Sequence, residues 1–284
     1  MEGVCHERIK PTAASACSAG VAARHILFML ETHNLTIRFG GHVAVNDVSC
    51  RFAPGTLTAI VGPNGAGKTT FFNLISGQLK ATAGRVLLGE RELTGLAPSA
   101  RTHAGLGRAF QLTNLFPNLS VLENVRLAVQ ARLPGKHRGG LNLWSIWSDH
   151  GRLTARAQQV LEQVALWPRR AEPVASLPHG DQRKLEVALL MALEPEVYMF
   201  DEPTAGMGHD EAPVILDLIR DLKADRSKII LLVEHKMDVV RELADRIIVL
   251  TSGTLVADGL PAEVMASPVV QQAYLGIAPQ EEAA

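Results

Sequence analysis

The chain is poor in cysteine. It has three, Cys5, Cys17 and Cys50, and their spacing fits neither a metal site nor a redox pair, as expected of a protein in a reducing compartment. It also lacks an excess of either charge: 28 Lys and Arg stand against 29 Asp and Glu, a formal net charge of −1. An electrostatic nucleic-acid binder normally carries a basic surplus, so nucleic acid is not an expected partner. No uninterrupted apolar stretch approaches the ~20 residues of a membrane span, and no internal repeat is found. What remains is 284 residues, 47% apolar and 20% charged. That length allows one large or two small domains with a substantial core, and the balance fits an α/β protein of the cytoplasm.

Residues 1–28 differ from the rest: they are rich in Ala, Ser and Cys and show no helical or strand period. Glu2 and Glu7 precede any apolar segment, and no clean apolar core leads to a cleavage site, so the anatomy is not that of a secretory signal. The first periodic segment starts at Met29, and the expectation is that 1–28 is a disordered leader or that translation itself begins at Met29.

Beyond it, Leu30–Phe39 and Val43–Phe52 alternate apolar and polar residues around Gly40-Gly41, a hairpin signal. Thr56–Val61 reads as a buried strand and Arg85–Leu88 as a short one. Gly105–Phe110 leads to Gln111 at a strand-to-loop boundary. Asn118–Ala131 has helical spacing, with Ser120 as N-cap and Glu123 three residues on. Leu133–Arg152 contains Gly, Arg and Trp with weak periodicity and reads as a loop or insertion; Thr154–Leu166 is helical again. Helices are expected over Gly180–Leu193, Asp210–Ala224 and Met237–Ala244. Strands are expected over Val197–Phe200, Ile229–Val233, Arg246–Leu250 and Thr254–Ala257. Strands alternating with helices predict a mostly parallel sheet. The first hairpin adds an antiparallel β portion, and 111–177, without a convincing strand, predicts an inserted helical subdomain.

The chemistry concentrates in Gly62-Pro63-Asn64-Gly65-Ala66-Gly67-Lys68-Thr69-Thr70. A G-x-x-x-x-G-K-[ST] match arises by chance in about one chain per hundred of this length at ordinary composition. Here it follows a strand and opens a helix, the context of a phosphate-binding loop. The glycines let backbone N–H groups close around phosphate oxygens at a helix N-terminus. Lys68 then reaches the β- and γ-phosphates and the Thr69 hydroxyl ligates Mg²⁺. Strand Val197–Phe200 delivers Asp201 and Glu202 at its carboxyl edge, where ligands gather in open α/β sheets. Asp201 suits the metal, and Glu202 is left to take a proton from attacking water. The plain alternative is that Asp201-Glu202-Pro203 only starts a turn. His235 ends a second such strand; a lone His is commonly a structural hydrogen-bonding residue, but at this edge it can contact the γ-phosphate and orient the water. The Gln111 amide oxygen can sense Mg²⁺ or that water.

Phosphate loop, Gln111, the segment Leu177-Pro178-His179-Gly180-Asp181-Gln182-Arg183, Asp201-Glu202-Pro203 and His235 follow one another as in an ATP-binding-cassette (ABC) ATPase, which the chain resembles from Leu30 to Gly276. Arg38-Phe39-Gly40-Gly41 and Thr204-Ala205-Gly206-Met207 look like the LivG-like subgroup that energises branched-chain amino-acid uptake. Subunits for urea and lipopolysaccharide transport are competing readings. A non-transport cassette ATPase and a phosphate-loop kinase fit less well.

The resemblance implies a P-loop NTPase ABC-ATPase fold: an ABC ATPase domain over 29–276, a helical subdomain over 111–177 extended by the signature helix to 193, and a tail over 277–284. It implies ATP and Mg²⁺ as cofactors, with Phe39 stacking on adenine and Val45 packing nearby; the plain alternative for Phe39 is a core residue. Thr69, Gln111 and Asp201 become the metal residues and Glu202, His235 and Gln111 the catalytic ones. Residues Leu177, Pro178, His179, Gly180 and Asp181 face the nucleotide of a second ATPase subunit, in a heterodimer or alternatively a homodimer. Other implied partners are membrane permease subunits, docking around Leu115, Phe116 and Leu119, and indirectly an extracytoplasmic solute-binding protein. The place is the cytoplasmic face of the membrane, peripherally.

Two departures stand out. The family's signature is Leu-Ser-Gly-Gly-Gln, whereas Pro178 has neither hydroxyl nor N–H to give a phosphate. Where the family closes its inter-subunit loop with Asp, this chain has Gly208, with Asp210 two residues on. Residues acting within the subunit are intact and those offered to a partner are altered, which predicts an asymmetric heterodimer.

Overall fold

The computed structural model describes residues 28–109, 115–132, 143–208, 212–268 and 270–271. The leader 1–27, Cys5, Cys17, Phe110, Gln111, Asp210 and the tail 277–284 lie outside the described residues.

Two sheets form the body. The first is antiparallel: β1 (Leu30–Phe39) pairs with β2 (His42–Phe52) and with β4 (Ala83–Leu88), and β4 carries the two-residue β5 (Arg91–Glu92). The second joins β10 (Thr254–Gly259), β9 (Arg246–Thr251), β3 (Leu57–Val61), β8 (Ile229–Val233), β7 (Val197–Asp201) and β6 (Leu106–Ala109), in that order. From β9 to β6 it is parallel, and only the edge strand β10 runs antiparallel. Every residue of β3, β7 and β8 is buried. Strands covered on both faces need apolar residues on both, so they read as unbroken runs rather than alternations.

Alternate residues of those runs enter different cores. Val197, Met199, Ile229, Leu231 and Val233 face the antiparallel sheet and helix α1 (Lys68–Ser76), sharing a core with Phe71 and Phe72. Tyr198, Phe200, Ile230 and Leu232 face the helices on the other side. These are α3 (Val121–Ala131), α4 (Leu143–Gln163), α5 (His179–Leu193) and α6 (Ala212–Ala224), after the short α2 (Pro98–His103). Helices α3, α4 and α5 pack on one another and make the helical layer. Helices α7 (Met237–Leu243) and α8 (Pro261–Ala266) close the end near β9, with Val240 and Val264 in a third core.

The hairpin, the strands and the mostly parallel sheet are as expected. Ser120 caps α3 in a full capping box: its hydroxyl accepts from Glu123 N, and the Glu123 carboxylate accepts from Ser120 N. One expectation fails. Residues 143–152 are helical, not loop, and belong to the single 21-residue α4. Gly151 and the polar run Ser148-Asp149-His150 disguise that half. Glycine in a helix costs ~1 kcal/mol against alanine, and the second half supplies the offset by burying Ala157, Val160 and Leu161. The short β5, α2 and α8 had no periodic signal to read.

Candidate functional site

The carboxyl ends of β3, β7 and β8 bring three loops to one edge of the parallel sheet. From β3 the chain passes through Gly62–Gly67 into α1, with Gly67 as N-cap in the left-handed region at φ 94°. Glycine is required there twice over, because a Cβ at Gly67 would stand 2.5 Å from Ala44 O. At Gly62 a Cβ would run into Leu250 O. The turn between β9 and β10 holds the loop from the far side: Gly253 N donates to Ala66 O at 3.0 Å, and Gly253 O accepts from Asn46 N at 2.8 Å. A Cβ on Gly253 would meet Ala44 O at 2.6 Å.

Lys68 is buried, and its ammonium donates to Gly62 O at 2.7 Å and Pro63 O at 2.9 Å. Burial pushes its pKa down, against the pull of Glu202 and Asp201. Thr69 and Thr70 follow, half-buried, while Asn64 and Gly65 are exposed.

Asp201 ends β7 on the α1 side, two residues after Met199. Its carboxylate accepts from Arg108 Nη2 at 2.8 Å, and both side chains are buried. Arg108 lies in β6 opposite Met199 and also donates to Asn73 Oδ1 at 2.6 Å and Ser76 Oγ at 2.8 Å. Its guanidinium sits 5.3 Å from the centre of the Phe72 ring. Burial pushes the Asp201 carboxyl up, with Arg108 opposing, and pushes Arg108 down. Both shifts have the same origin: two charges removed from water that need each other.

Glu202 takes a left-handed backbone, φ 51°, unusual for a side chain of its size. Its N–H donates to Val233 O at 2.9 Å, and its carboxylate lies 2.6 Å from His235 Nε2. The next loop is fastened from inside. Glu234 accepts from Thr204 Oγ1 at 2.8 Å and from His235 N at 2.7 Å.

The structure therefore brings Gly62–Thr70, Asp201, Glu202 and His235 together at one edge. Phe39 ends β1 with its ring half exposed (50%), whereas Val45 is fully buried, 3.6 Å through its Cγ2 from a Cβ placed on Gly67. The segment Leu177–Asp181 lies apart, at the start of α5. Pro178 is the N-cap, with no side-chain cap, and α5 begins at His179, one residue earlier than expected. His179 is exposed; a Cβ on Gly206 would lie 3.9 Å from its Nε2. Asp181 is buried, held by Lys184 at 2.8 Å and Arg169 at 3.2 Å. Leu115 is partly buried in the helical core and Phe116 is exposed at 54%. The sequence gives no site role to Arg108 or Glu234, and Thr204 enters only as part of a subgroup motif. The one available signal was charge next to a buried strand: Arg108 two residues into β6, and Glu234 directly after β8.

The donor chemistry suits a magnesium nucleotide. A glycine cradle that side chains would fill, a buried ammonium, and hard oxygen donors at Thr69 and Asp201 are what a polyphosphate with Mg²⁺ requires. Comparisons with known proteins agree. The family model described as ABC transporter matches residues 45–205, and one described as branched-chain amino acid ATP-binding cassette transporter matches 254–278. The chain is similar to the high-affinity branched-chain amino acid transport ATP-binding protein LivG of Escherichia coli K12, with 38% identity over 87% of this chain and 98% of that protein. It is also similar to the lipopolysaccharide export system ATP-binding protein LptB of Acidithiobacillus ferridurans, with 32% identity over 87% of this chain and 97% of that protein. Among solved structures it resembles a nucleotide-free ATP-binding cassette from an ABC transporter, TM-score 0.73 and 28% identity, over 88% of this chain and all of that one.

Proposed function

The chain belongs to the ATP-binding-cassette transporter family, and from that premise we propose that it is the ATPase subunit of an importer for branched-chain amino acids. ATP binding and hydrolysis follow from membership; the solute is the proposed part. The observation that carries it is the C-terminal match over 254–278 to the branched-chain amino-acid cassette model, a segment outside the general ATPase match. The 38% identity to LivG supports the same solute class.

When bound, Mg²⁺–ATP supplies an electrophilic γ-phosphorus and a cation that offsets its charge. Thr69 and Asp201 are the residues that would hold the cation, joined by Gln111, and Lys68 with the loop N–H groups holds the β- and γ-phosphates. Phe39 stacks on the base, with Val45 packing beneath. Glu202 accepts the proton of the attacking water, and His235, in contact with Glu202, fixes the direction of that carboxylate. Leu177, Pro178, His179, Gly180 and Asp181 face the nucleotide of a second ATPase subunit, in a heterodimer. The ATPase domain runs over 29–276, with the helical subdomain over 111–177 and its extension to 193 meeting permease subunits near Leu115, Phe116 and Leu119. Among the described residues no helix is long and apolar enough to cross a membrane, and a peripheral place at the cytoplasmic face of the membrane is proposed. The solute reaches the permeases through an extracytoplasmic binding protein.

The test is reconstitution. Membrane subunits that co-purify with the tagged full-length chain are placed in proteoliposomes and given radiolabelled leucine, isoleucine or valine with its binding protein. ATP-dependent uptake that disappears with Glu202→Gln is expected. The similarity to LptB gives a second reading: absence of uptake together with ATP-dependent extraction of lipopolysaccharide would replace the first.

A further inference from the structure

Glu234 is a buried carboxylate to which the hydrolysis scheme gives no role. It is 3% exposed and stands between two loops. On one side Thr204, itself 2% exposed, donates its hydroxyl to Oε1 at 2.8 Å; Thr204 belongs to the loop that carries Glu202. On the other side Oε2 accepts from the backbone N–H of His235 at 2.7 Å and of Lys236 at 3.2 Å. One side chain thus fastens the segment after β7 to the segment after β8. The same two segments meet again at their tips, where Glu202 and His235 are 2.6 Å apart.

This geometry needs fastening. Glu202 sits at φ 51°, a conformation that persists only when its surroundings over-determine it. Its own restraints are its N–H to Val233 O at 2.9 Å, its carbonyl accepting from Ala205 N at 3.0 Å, and the His235 contact. His235 is exposed, lies two residues past the end of β8, and its backbone N–H goes to the Glu234 carboxylate. Without that carboxylate both the His235 backbone and the Thr204 hydroxyl lose their partner. Among the described residues, past the paired ends of β7 and β8, the two loops then keep only the Glu202 N–H to Val233 O bond and the Glu202–His235 contact.

We propose that Glu234 is a positioning residue for hydrolysis: it sets His235, and through His235 the carboxylate of Glu202, without touching nucleotide. The inference rests on the reading of Glu202 and His235 given above. It differs from a merely structural role in what it predicts. A positioning residue lowers kcat and leaves nucleotide binding alone, and its effect vanishes once the residue it positions is gone.

The experiment is steady-state and single-turnover ATP hydrolysis by the full-length chain with its co-purified subunits. Glu234→Ala is expected to lower kcat by about 10- to 100-fold, the scale of a small misplacement at a reacting centre, with KM for ATP changed less than about twofold. Glu234→Gln is expected to keep most of the rate. The glutamine oxygen can accept from the two N–H groups while its NH₂ donates to the Thr204 hydroxyl, which can rotate to accept. In a His235→Ala background, Glu234→Ala is expected to cost nothing more. An unchanged kcat in Glu234→Ala overturns the proposal, as does an equal further loss on top of His235→Ala, or a glutamine variant as slow as the alanine one. Should Glu234→Ala melt out, Thr204→Val removes only the hydroxyl arm. It is then expected to lower kcat severalfold in wild type and not at all in His235→Ala; an equal loss in both overturns the proposal. Glu202→Gln separates the two levels: near-wild-type hydrolysis by that variant would overturn the reading of the site itself.

Discussion

The sheet edge that carries Gly62–Thr70, Asp201, Glu202 and His235 and the start of α5 at Leu177–Asp181 are, on the proposed function, the two halves of a composite site. They are built differently. At the sheet edge each charged group already has a partner from a different element: Lys68 the loop carbonyls, Asp201 the β6 guanidinium, Glu202 the imidazole after β8. At the start of α5 the chain offers Pro178, which has no donor, and His179, which is exposed, while the Asp181 carboxylate is turned to Lys184 and Arg169. A group prearranged by its own subunit needs no rearrangement when a partner arrives. Besides the exposed His179 imidazole, the α5 segment has backbone N–H groups and a helix dipole to present. On the proposed asymmetric heterodimer, one half is built in advance and the other lacks the hydroxyl donor of the usual signature.

The comparison can be broken most forcefully at Glu202. Glu202→Gln is expected to slow phosphate release by about 10²- to 10⁴-fold, the usual worth of a general base, while ATP still binds. The equivalent change in the second ATPase subunit should cost far less, and equal losses would remove the asymmetry. Next in size is Arg108→Met. It leaves the Asp201 carboxylate buried beside an apolar chain, so urea unfolding should show a loss of about 3–5 kcal/mol. A loss below ~1 kcal/mol, the scale of an exposed ion pair, would mean that the sheet edge is not pre-paired in the sense argued here. Pro178→Ser tests the other half by restoring a donor. A charge-assisted hydrogen bond is worth about 1.5–3 kcal/mol. Nucleotide-driven association in a Glu202→Gln background should therefore tighten about 10- to 100-fold by size-exclusion or light scattering, and no tightening would show that the segment does not reach phosphate. The smallest effect is expected from Ser120→Ala, which breaks the α3 capping box and should cost ~1 kcal/mol. Hydrogen exchange should quicken in α3 with the amides of β3, β7 and β8 unchanged; quickening in those strands as well would deny the helical layer its independence.

What could be read from the sequence follows the same division. Val197–Phe200 and Ile229–Val233 were legible because strands covered on both faces leave no room for polar interruption. The phosphate loop was legible because its function demands particular residues at fixed spacing. The amino-terminal half of α4 was not legible, since Gly151 and a polar stretch reproduce the statistics of a loop. Only the distant packing of Ala157, Val160 and Leu161 shows otherwise. Arg108 and Glu234 were hidden for another reason. A buried charge reveals itself by its partner, and those partners, Asp201 and Thr204, lie 93 and 30 residues away along the chain.

The turn at Gly253 has a consequence for how the molecule comes into being. The cradle at Gly62–Gly67 leaves the ribosome well before Gly253, whose hydrogen bond braces it. A nascent chain therefore carries that cradle unbraced until Gly253 is made, and nucleotide can act as a ligand that rewards the bracing.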